Sequence, residues 1–139
     1  RIYLDVTYCC TVPGGVYGWP KNVLHWAGIS ECIADLHATF PRHFGLVDGI
    51  MGMEGDGPIE GSAKPAGIIA GSRDLVALDA TCCRIMGIDP SRVVYLQLTA
   101  KRGQLEEANV EQSGERPASV RTDFQLVDEF KHFRLSALA

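Results

Sequence analysis

Apolar residues recur at helical spacing in the first half of the chain. Ile29, Ile33 and Leu36 lie three or four positions apart, which is the spacing of one face of an α-helix. Ser30 is a residue type that often caps a helix N-terminus, and a proline follows the segment at position 41. We therefore predict a helix from about Ser30 to Thr39.

Two further helices are predicted in the second half of the chain. The segment Asp74–Met86 has apolar residues at helical period, a suitable N-cap in its first residue, and Gly87 just past its end. Asp89 followed by Pro90 indicates the start of another helix, because proline fits the first helical position. Two cations and a glycine at Lys101–Gly103 are typical of a helix C-terminus, so we place the end of this helix there.

Two apolar runs without helical period predict strands, at Phe44–Met51 and Ala66–Gly71. Apolar residues at consecutive positions are typical of strands covered on both faces. Residues 52–65, between the runs, are rich in glycine and are predicted to form a loop. Because this loop has no helical pattern, an antiparallel return is favoured over a parallel crossover. Weaker patterns predict an edge strand at Asn109–Gln112, a short strand at Phe124–Val127 and a terminal helix at Glu129–Leu138.

Helices that alternate with apolar strands are typical of an α/β layered sandwich, with a mixed β-sheet packed by helices. The chain has 139 residues, the size of one domain, which we predict to span residues 1–139. Arg1–Val6 has the pattern of a strand already under way, and no secretory signal is visible after it. We therefore expect a piece of a longer protein, with the missing N-terminal portion as its partner. Self-association into a homo-oligomer is an open alternative.

Charge and hydropathy argue against two classes of partner. Thirteen Lys and Arg against 17 Asp and Glu give a formal net charge of −4, whereas a nucleic-acid interface needs a basic face. No apolar run approaches the roughly 20 residues of a membrane-spanning helix. We therefore expect neither a nucleic acid nor a membrane as partner.

Five cysteines form two adjacent pairs, Cys9–Cys10 and Cys82–Cys83, and leave Cys32 alone. An odd count without a secretory signal does not indicate a disulfide framework. No C-x-x-C motif is present, so the chain encodes neither a zinc ribbon nor an iron–sulfur ligand run. Small buried thiols in a reducing compartment are favoured, and we predict a cytoplasmic location.

Carboxylates interleaved with glycines form the first candidate site. The acids are Asp48, Glu54, Asp56 and Glu60, and the glycines among them include Gly55 and Gly57. Glycines let a backbone approach a ligand closely, and carboxylate oxygens suit a hard cation such as Mg²⁺ or Ca²⁺, or an acid–base pair. We predict Asp48, Glu54 and Asp56 as ligands of a divalent cation. Glu54, Asp56 and the glycines Gly55 and Gly57 are predicted to contact a ligand. The alternative is an exposed turn with solvated acids.

Two of the aspartates are predicted to be catalytic, Asp48 and Asp79. Asp48 interrupts an apolar strand near its carboxyl end, where α/β proteins tend to bind ligands. On its helix, Asp79 lies about 40° from Leu75, inside the apolar stripe that faces the core. An unpaired carboxylate there costs several kcal/mol, so it must be paired, hydrogen-bonded, metal-bound or protonated. The alternative is a structural acid that holds backbone N–H groups of the glycine loop.

The turn Gly71–Asp74 joins a predicted strand to a predicted helix. Such a turn could hold an anion at the helix N-terminus with Arg73 assisting, so we include Arg73 among the predicted ligand-binding residues. Asp74 as a simple helix cap is the alternative. The chain has no P-loop, no Rossmann glycine motif, no G-x-S-x-G elbow and no paired-histidine metal motif.

Three segments resemble the DUF362 family of uncharacterised proteins. They are VYGWPKNVLHWAGI, VDGIMGMEGDGPIEGSAKP and GSRDLVALDATCCRIMGIDP. The resemblance covers roughly residues 12–100, and its most specific parts are Val47–Pro58 and Asp74–Thr81. It implies an α/β domain with a loop-centred site at Asp48, Glu54, Asp56 and Asp79, and no established reaction. Some members of this family carry an iron–sulfur segment whose ligand motif this chain lacks.

Three hypotheses for the function follow. The first is an enzyme, or part of one, with the carboxylates near a common ligand or divalent cation; the cofactor is otherwise unknown. The second is a redox-accessory domain for an iron–sulfur partner, which predicts an exposed cysteine pair or a docking face around Tyr17 and Trp19. The third is a non-catalytic domain in which Asp79 only ties down the glycine loop.

Overall fold

The computed structural model describes Trp26 and residues 28–39, 44–57 and 59–136, and its largest element is a β-hairpin. Strand β1 (Gly45–Asp56) pairs antiparallel with strand β2 (Glu60–Ser72). The register runs from Gly45 opposite Ser72 to Asp56 opposite Glu60, with a bulge between Gly49 and Met51. The predicted antiparallel return is confirmed.

The predicted loop over residues 52–65 is wrong, because most of these residues lengthen the two strands. Two of its glycines lie under larger side chains. A Cβ on Gly52 would lie 2.7 Å from the Phe124 ring, and a Cβ on Gly61 would lie 2.5 Å from the side chain of Met53. Glycine permits close packing at these positions without ending the strand.

Two predicted helices are confirmed, α1 (Ile29–Thr39) and α2 (Leu75–Ile85). Helix α1 begins earlier than expected, because the Cys32 amide donates to the carbonyl of residue 28 at 3.1 Å. Ser30 therefore lies inside the first turn and is not the N-cap. Helix α2 has the predicted cap, with Asp74 Oδ1 accepting from the Ala77 amide at 3.0 Å. Beyond its end Gly87 has a φ of +73°, a conformation that favours glycine.

The third predicted helix begins as expected but is divided into three short pieces. Asp89 caps a 3₁₀ turn at Pro90–Arg92, helix α3 (Val94–Thr99) follows, and a second 3₁₀ turn occupies Ala100–Arg102. The break occurs at Val93, whose backbone is extended. None of the helices among the described residues is long and apolar enough to cross a membrane.

The strands predicted at 109–112 and 124–127 do not form, and the predicted terminal helix is replaced by a 3₁₀ helix at Asp128–Phe133. The backbone of this region bonds to the end of α2. Phe124, the first residue of the second predicted strand, donates to the Met86 carbonyl at 3.0 Å, and Leu135 donates to the Gly87 carbonyl at 2.9 Å. Because these donors are used at the end of a helix, they do not join the sheet.

Helix α2 lies at the centre of the core. One buried cluster joins α2 to β1 and consists of Val47, Leu75, Leu78 and Cys82. The other joins α2 to α3 and consists of Val76, Cys83 and Leu96. The α/β fold class is thus confirmed, and the sheet of the described residues has two antiparallel strands packed against helices.

The hairpin is covered on one face only. Val47 points into the core, whereas Leu46 is 63% exposed and Ile69 is 68% exposed. The prediction that both strands are buried on both faces is therefore wrong for the described residues. Side chains of a strand alternate between faces, so every second apolar residue of these runs lies on the exposed face and not in the core.

Candidate functional site

Asp79 is a carboxylic acid enclosed in the core. Only 1% of the residue is exposed, because the apolar side chains beside it on α2 pack against β1 and α3. The Tyr95 hydroxyl, from α3, donates to Asp79 Oδ2 at 3.2 Å. Oδ1 has no hydrogen-bond partner in the described part of the chain. The predicted position of Asp79 in the buried stripe is confirmed, and its catalytic role stays a prediction.

Burial determines the protonation of this pair. It raises the pKa of Asp79 from 3.8 to about 6, against the opposing effect of the Tyr95 hydrogen bond. Burial first, and then the Asp79 charge, also raise the pKa of Tyr95, so its hydroxyl stays protonated and donates. A carboxyl group that titrates near neutral pH can give and take a proton under physiological conditions.

The alternative prediction is that Asp79 accepts hydrogen bonds from backbone N–H groups of the glycine-rich segment. The described residues show a different partner. Its hydrogen-bond partner is a side chain on α3, not a backbone group of residues 52–57. Tyr95 was not among the predicted site residues. It lies 16 positions after Asp79, and only the packing of α3 on α2 brings the two together, so no local sequence signal could have identified it.

Asp48 lies on the exposed face of β1, opposite Ile69. Its Oδ1 accepts from the Ile50 amide at 3.1 Å, next to the bulge of this strand. An aspartate that accepts from the backbone two positions on commonly stabilises a local irregularity. Asp48 is thus exposed and Asp79 is buried, and each has a different hydrogen-bond partner, so no contact joins these two predicted catalytic residues.

Glu54 joins the hairpin to the C-terminal segment. Its Oε2 accepts from the Gln125 amide at 2.8 Å and lies 3.6 Å from Lys64 Nζ. The Gly55 amide donates in turn to the Gln125 carbonyl at 3.0 Å, and Gly55 has a φ of +77°. This carboxylate therefore has protein partners of its own.

The remaining predicted residues lie near the two ends of the hairpin. Asp56 ends β1 and is exposed, and the Gly57 amide donates to the Gly55 carbonyl at 3.0 Å. Arg73 is exposed at the opposite end, in the turn before α2. Among the described residues, no three His, Cys, Asp or Glu side chains are grouped as metal ligands. Asp48, Glu54 and Asp56 thus do not share a site here, and their role as ligands stays a prediction.

The cysteines of the described residues are buried. Cys32, Cys82 and Cys83 lie in the interior, and burial together with the Asp79 charge raises the pKa of the Cys82 and Cys83 thiols to about 12. A thiol with so high a pKa is a poor nucleophile and a poor redox group at neutral pH. This observation counts against a redox role for the second cysteine pair. Cys9, Cys10, Tyr17 and Trp19 lie outside the described residues.

A cleft of about 370 Å³ lies on the side of α2 away from Asp79. One wall is β2 from Gly67 to Ser72, the floor is one face of α2, and the opposite wall is the segment 110–115. The floor residues Ala77 and Thr81 lie roughly 160° around the helix from Asp79, and Ile85 lies roughly 120° from it. None of the acids predicted from the sequence lines this cleft.

Comparison with known proteins agrees with the resemblance in the sequence. Residues 8–84, more than half of the chain, match the family described as "Domain of unknown function (DUF362)". The chain is 40% identical over 73 residues to the thylakoid-associated protein sll1697 of Synechocystis sp.. The aligned region covers 52% of this chain but 23% of that relative, so the chain spans a small part of the relative's length. No solved structure matches the chain.

Proposed function

Because the chain belongs to the DUF362 family, whose description assigns no reaction, we propose a function from the site itself: Asp79 is the proton-exchanging carboxyl group of an enzyme, held in place by Tyr95. The observation that carries this proposal is the unpartnered Oδ1 of a carboxyl group that is 1% exposed.

Burial of the Asp79 carboxyl group has an energetic cost. An ionised carboxylate with one unpartnered oxygen in the core destabilises the fold by several kcal/mol relative to a paired one. Groups retained at such a cost are enriched at functional sites, where stability is exchanged for activity. A pKa of about 6 also suits a group that must act both as acid and as base near neutral pH.

The raised pKa of Asp79 determines how the stability of the protein changes with pH. The folded-state pKa of Asp79 is raised above its unfolded value of 3.8 to about 6. The folded state therefore binds this proton more tightly than the unfolded state does. Stability from Asp79 is fully present below the unfolded pKa and is lost as the pH rises through about 6.

The test is the Asp79→Asn variant, which keeps an acceptor for Tyr95 and removes the titration. We expect the wild type to lose about 2 kcal/mol more unfolding free energy than the variant between about pH 4.5 and pH 8, measured by urea unfolding. At the higher pH we expect the variant to be the more stable protein. Glu60→Gln is the matched control, since it removes one negative charge from an exposed strand position.

The opposite outcome has a clear meaning. If Asp79→Asn is less stable than wild type at every pH, Asp79 serves the fold and the catalytic proposal fails. The divalent-cation site and the iron–sulfur partner predicted from the sequence remain proposals as well. The former has the weaker support, because Glu54 already has Gln125 and Lys64 as partners.

A further inference from the structure

The cleft follows the edge of strand β2 and not one of its faces. Six consecutive residues, Gly67–Ser72, line it. Successive side chains of a strand point to opposite faces, so contact with consecutive residues places the cleft beside the backbone. β1 lies along the other edge of β2. Within the described ranges no strand pairs with the edge that faces the cleft.

An unpaired strand edge presents a row of backbone N–H and C=O groups to whatever enters the cleft. A two-stranded sheet is also marginal in isolation, and a third strand stabilises it. Extended peptides use such edges by adding a strand, with backbone hydrogen bonds for affinity and side-chain pockets for specificity.

The floor and the rim of the cleft differ in chemistry. The floor on α2 consists of small or apolar side chains, namely Ala77, Leu78, Thr81 and Ile85. The opposite wall contributes two exposed acids, Glu111 and Glu115. No lysine or arginine is among the residues that line the cleft. Its rim is therefore negative and its floor apolar.

We propose that this cleft binds an extended strand of a partner protein, which pairs with the free edge of β2. Every second side chain of that strand is apolar and contacts the floor on α2. The side chains between them include lysine or arginine, which pair with Glu111 and Glu115. This interaction is independent of Asp79, which lies on the other side of α2.

The test uses fluorescence anisotropy with the 139-residue chain and labelled eight-residue peptides. The probe alternates lysine and valine, and its matched control alternates glutamate and valine. We expect the lysine peptide to bind at least tenfold more tightly. N-methylation of every second residue keeps the charges and removes the N–H groups of one edge. We expect at least one of the two methylated forms to bind tenfold more weakly.

Variants of the chain locate the binding. Glu111→Lys combined with Glu115→Lys changes two exposed residues, and we expect a loss of affinity of at least fivefold. Glu106→Lys combined with Glu129→Lys makes the same change of net charge outside the cleft and should leave affinity unchanged. Thr81→Trp fills the floor and should abolish binding, provided that its circular dichroism spectrum remains native.

The outcomes separate the alternatives. Equal binding of the parent and both methylated peptides means that the strand edge is not used, and it overturns the proposal. Equal loss in the cleft and control charge variants means nonspecific attraction, and it overturns the proposal too. Absence of binding by the lysine peptide overturns the proposal as well, and ANS fluorescence that rises with wild type but not with Thr81→Trp would then assign the cleft to a small ligand.

Discussion

The chemistry of single residues in this protein depends more on their surroundings than on their residue type. Acids were predicted as site residues from two sequence patterns, a glycine-rich run and the apolar stripe of a helix, and the structure places them in unlike surroundings. Asp48 is exposed and accepts from its own strand, Glu54 joins two segments, and Asp79 is enclosed with one oxygen unpartnered. Burial shifts the pKa of Asp79 toward neutrality.

The contribution of Tyr95 is testable by replacement with phenylalanine. The Tyr95 hydrogen bond lowers the pKa of Asp79, so its removal should raise that pKa above about 6. We expect a further rise of roughly one unit or less, which corresponds to the free energy of one hydrogen bond. The measurement is a ¹³C NMR titration of the Asp79 carboxyl carbon. Asp123, whose pKa is lowered by Arg121, serves as the internal reference and should titrate identically in both proteins.

The buried cysteines give a second prediction at the residue scale. Cys82 and Cys83 are inaccessible and their pKa is about 12, so iodoacetamide should not modify them in the folded chain at neutral pH. Both should react after unfolding in urea, as mass spectrometry of the corresponding peptide will show. Rapid modification of either thiol in the native protein would restore the redox-accessory hypothesis.

At the scale of elements, α2 is held by bonds at both of its ends. At the first turn, both carboxylate oxygens of Asp74 accept a hydrogen bond. Oδ1 accepts from the Ala77 amide, and Oδ2 accepts from the Gln104 amide at 2.8 Å. Beyond the last turn, the backbone of residues 122–135 bonds to Ile85, Met86 and Gly87. The hairpin is attached at a third point, through Glu54 and Gln125.

Asp74 therefore acts as both a helix cap and a cross-link. Asp74→Ala should lower the free energy of unfolding by roughly 2 to 3 kcal/mol, as the sum of a lost cap and a lost backbone contact. Asp74→Asn keeps one acceptor oxygen for Ala77 but not the second, so it should cost about 1 kcal/mol. Urea unfolding measures both variants. Glu60→Ala, at an exposed strand position, is the control. An equal loss of unfolding free energy in all three variants would contradict the role of Asp74 as both cap and cross-link.

At the scale of the whole molecule, the predicted acids lie in separate regions and do not form one common site among the described residues. Two candidate regions lie on opposite sides of α2, namely Asp79 beside α3 and the cleft beside β2. The glycine-rich end of the hairpin is a third region, and its Glu54 carboxylate is already engaged. The outer face of the hairpin is apolar and exposed in the structure as described.

A thermal melt with divalent cations tests whether the acids act together. A ligand that binds the folded state raises Tm through mass action. Because Asp48, Glu54 and Asp56 are not grouped, we expect Mg²⁺, Mn²⁺, Ca²⁺ and Zn²⁺ to leave the Tm of the 139-residue chain unchanged. A cation-specific rise in Tm that disappears in Asp56→Asn would show that the acids do converge on a metal.

Much of the fold was predictable because its signals are local. Helix α2 has its apolar period, its Asp74 cap and its Gly87 terminus within 14 consecutive residues. The strand ends were not predictable, since Gly52 and Gly61 have the composition of a loop but pack under Phe124 and Met53. A glycine that ends a strand and one that makes room for a distant ring look the same in a sequence.

The sequence by itself determined that a carboxylate enters the core at Asp79, because helical period fixes which side chains share a face. It also favoured an antiparallel return between the two apolar runs, and it contained the resemblance to the DUF362 family. Only the tertiary structure decided that Tyr95 is the partner of Asp79, that Glu54 binds Gln125, and that a cleft runs along β2. Each of these depends on contacts between residues distant in the chain, and the packing of whole elements sets them, not the pattern within any one element.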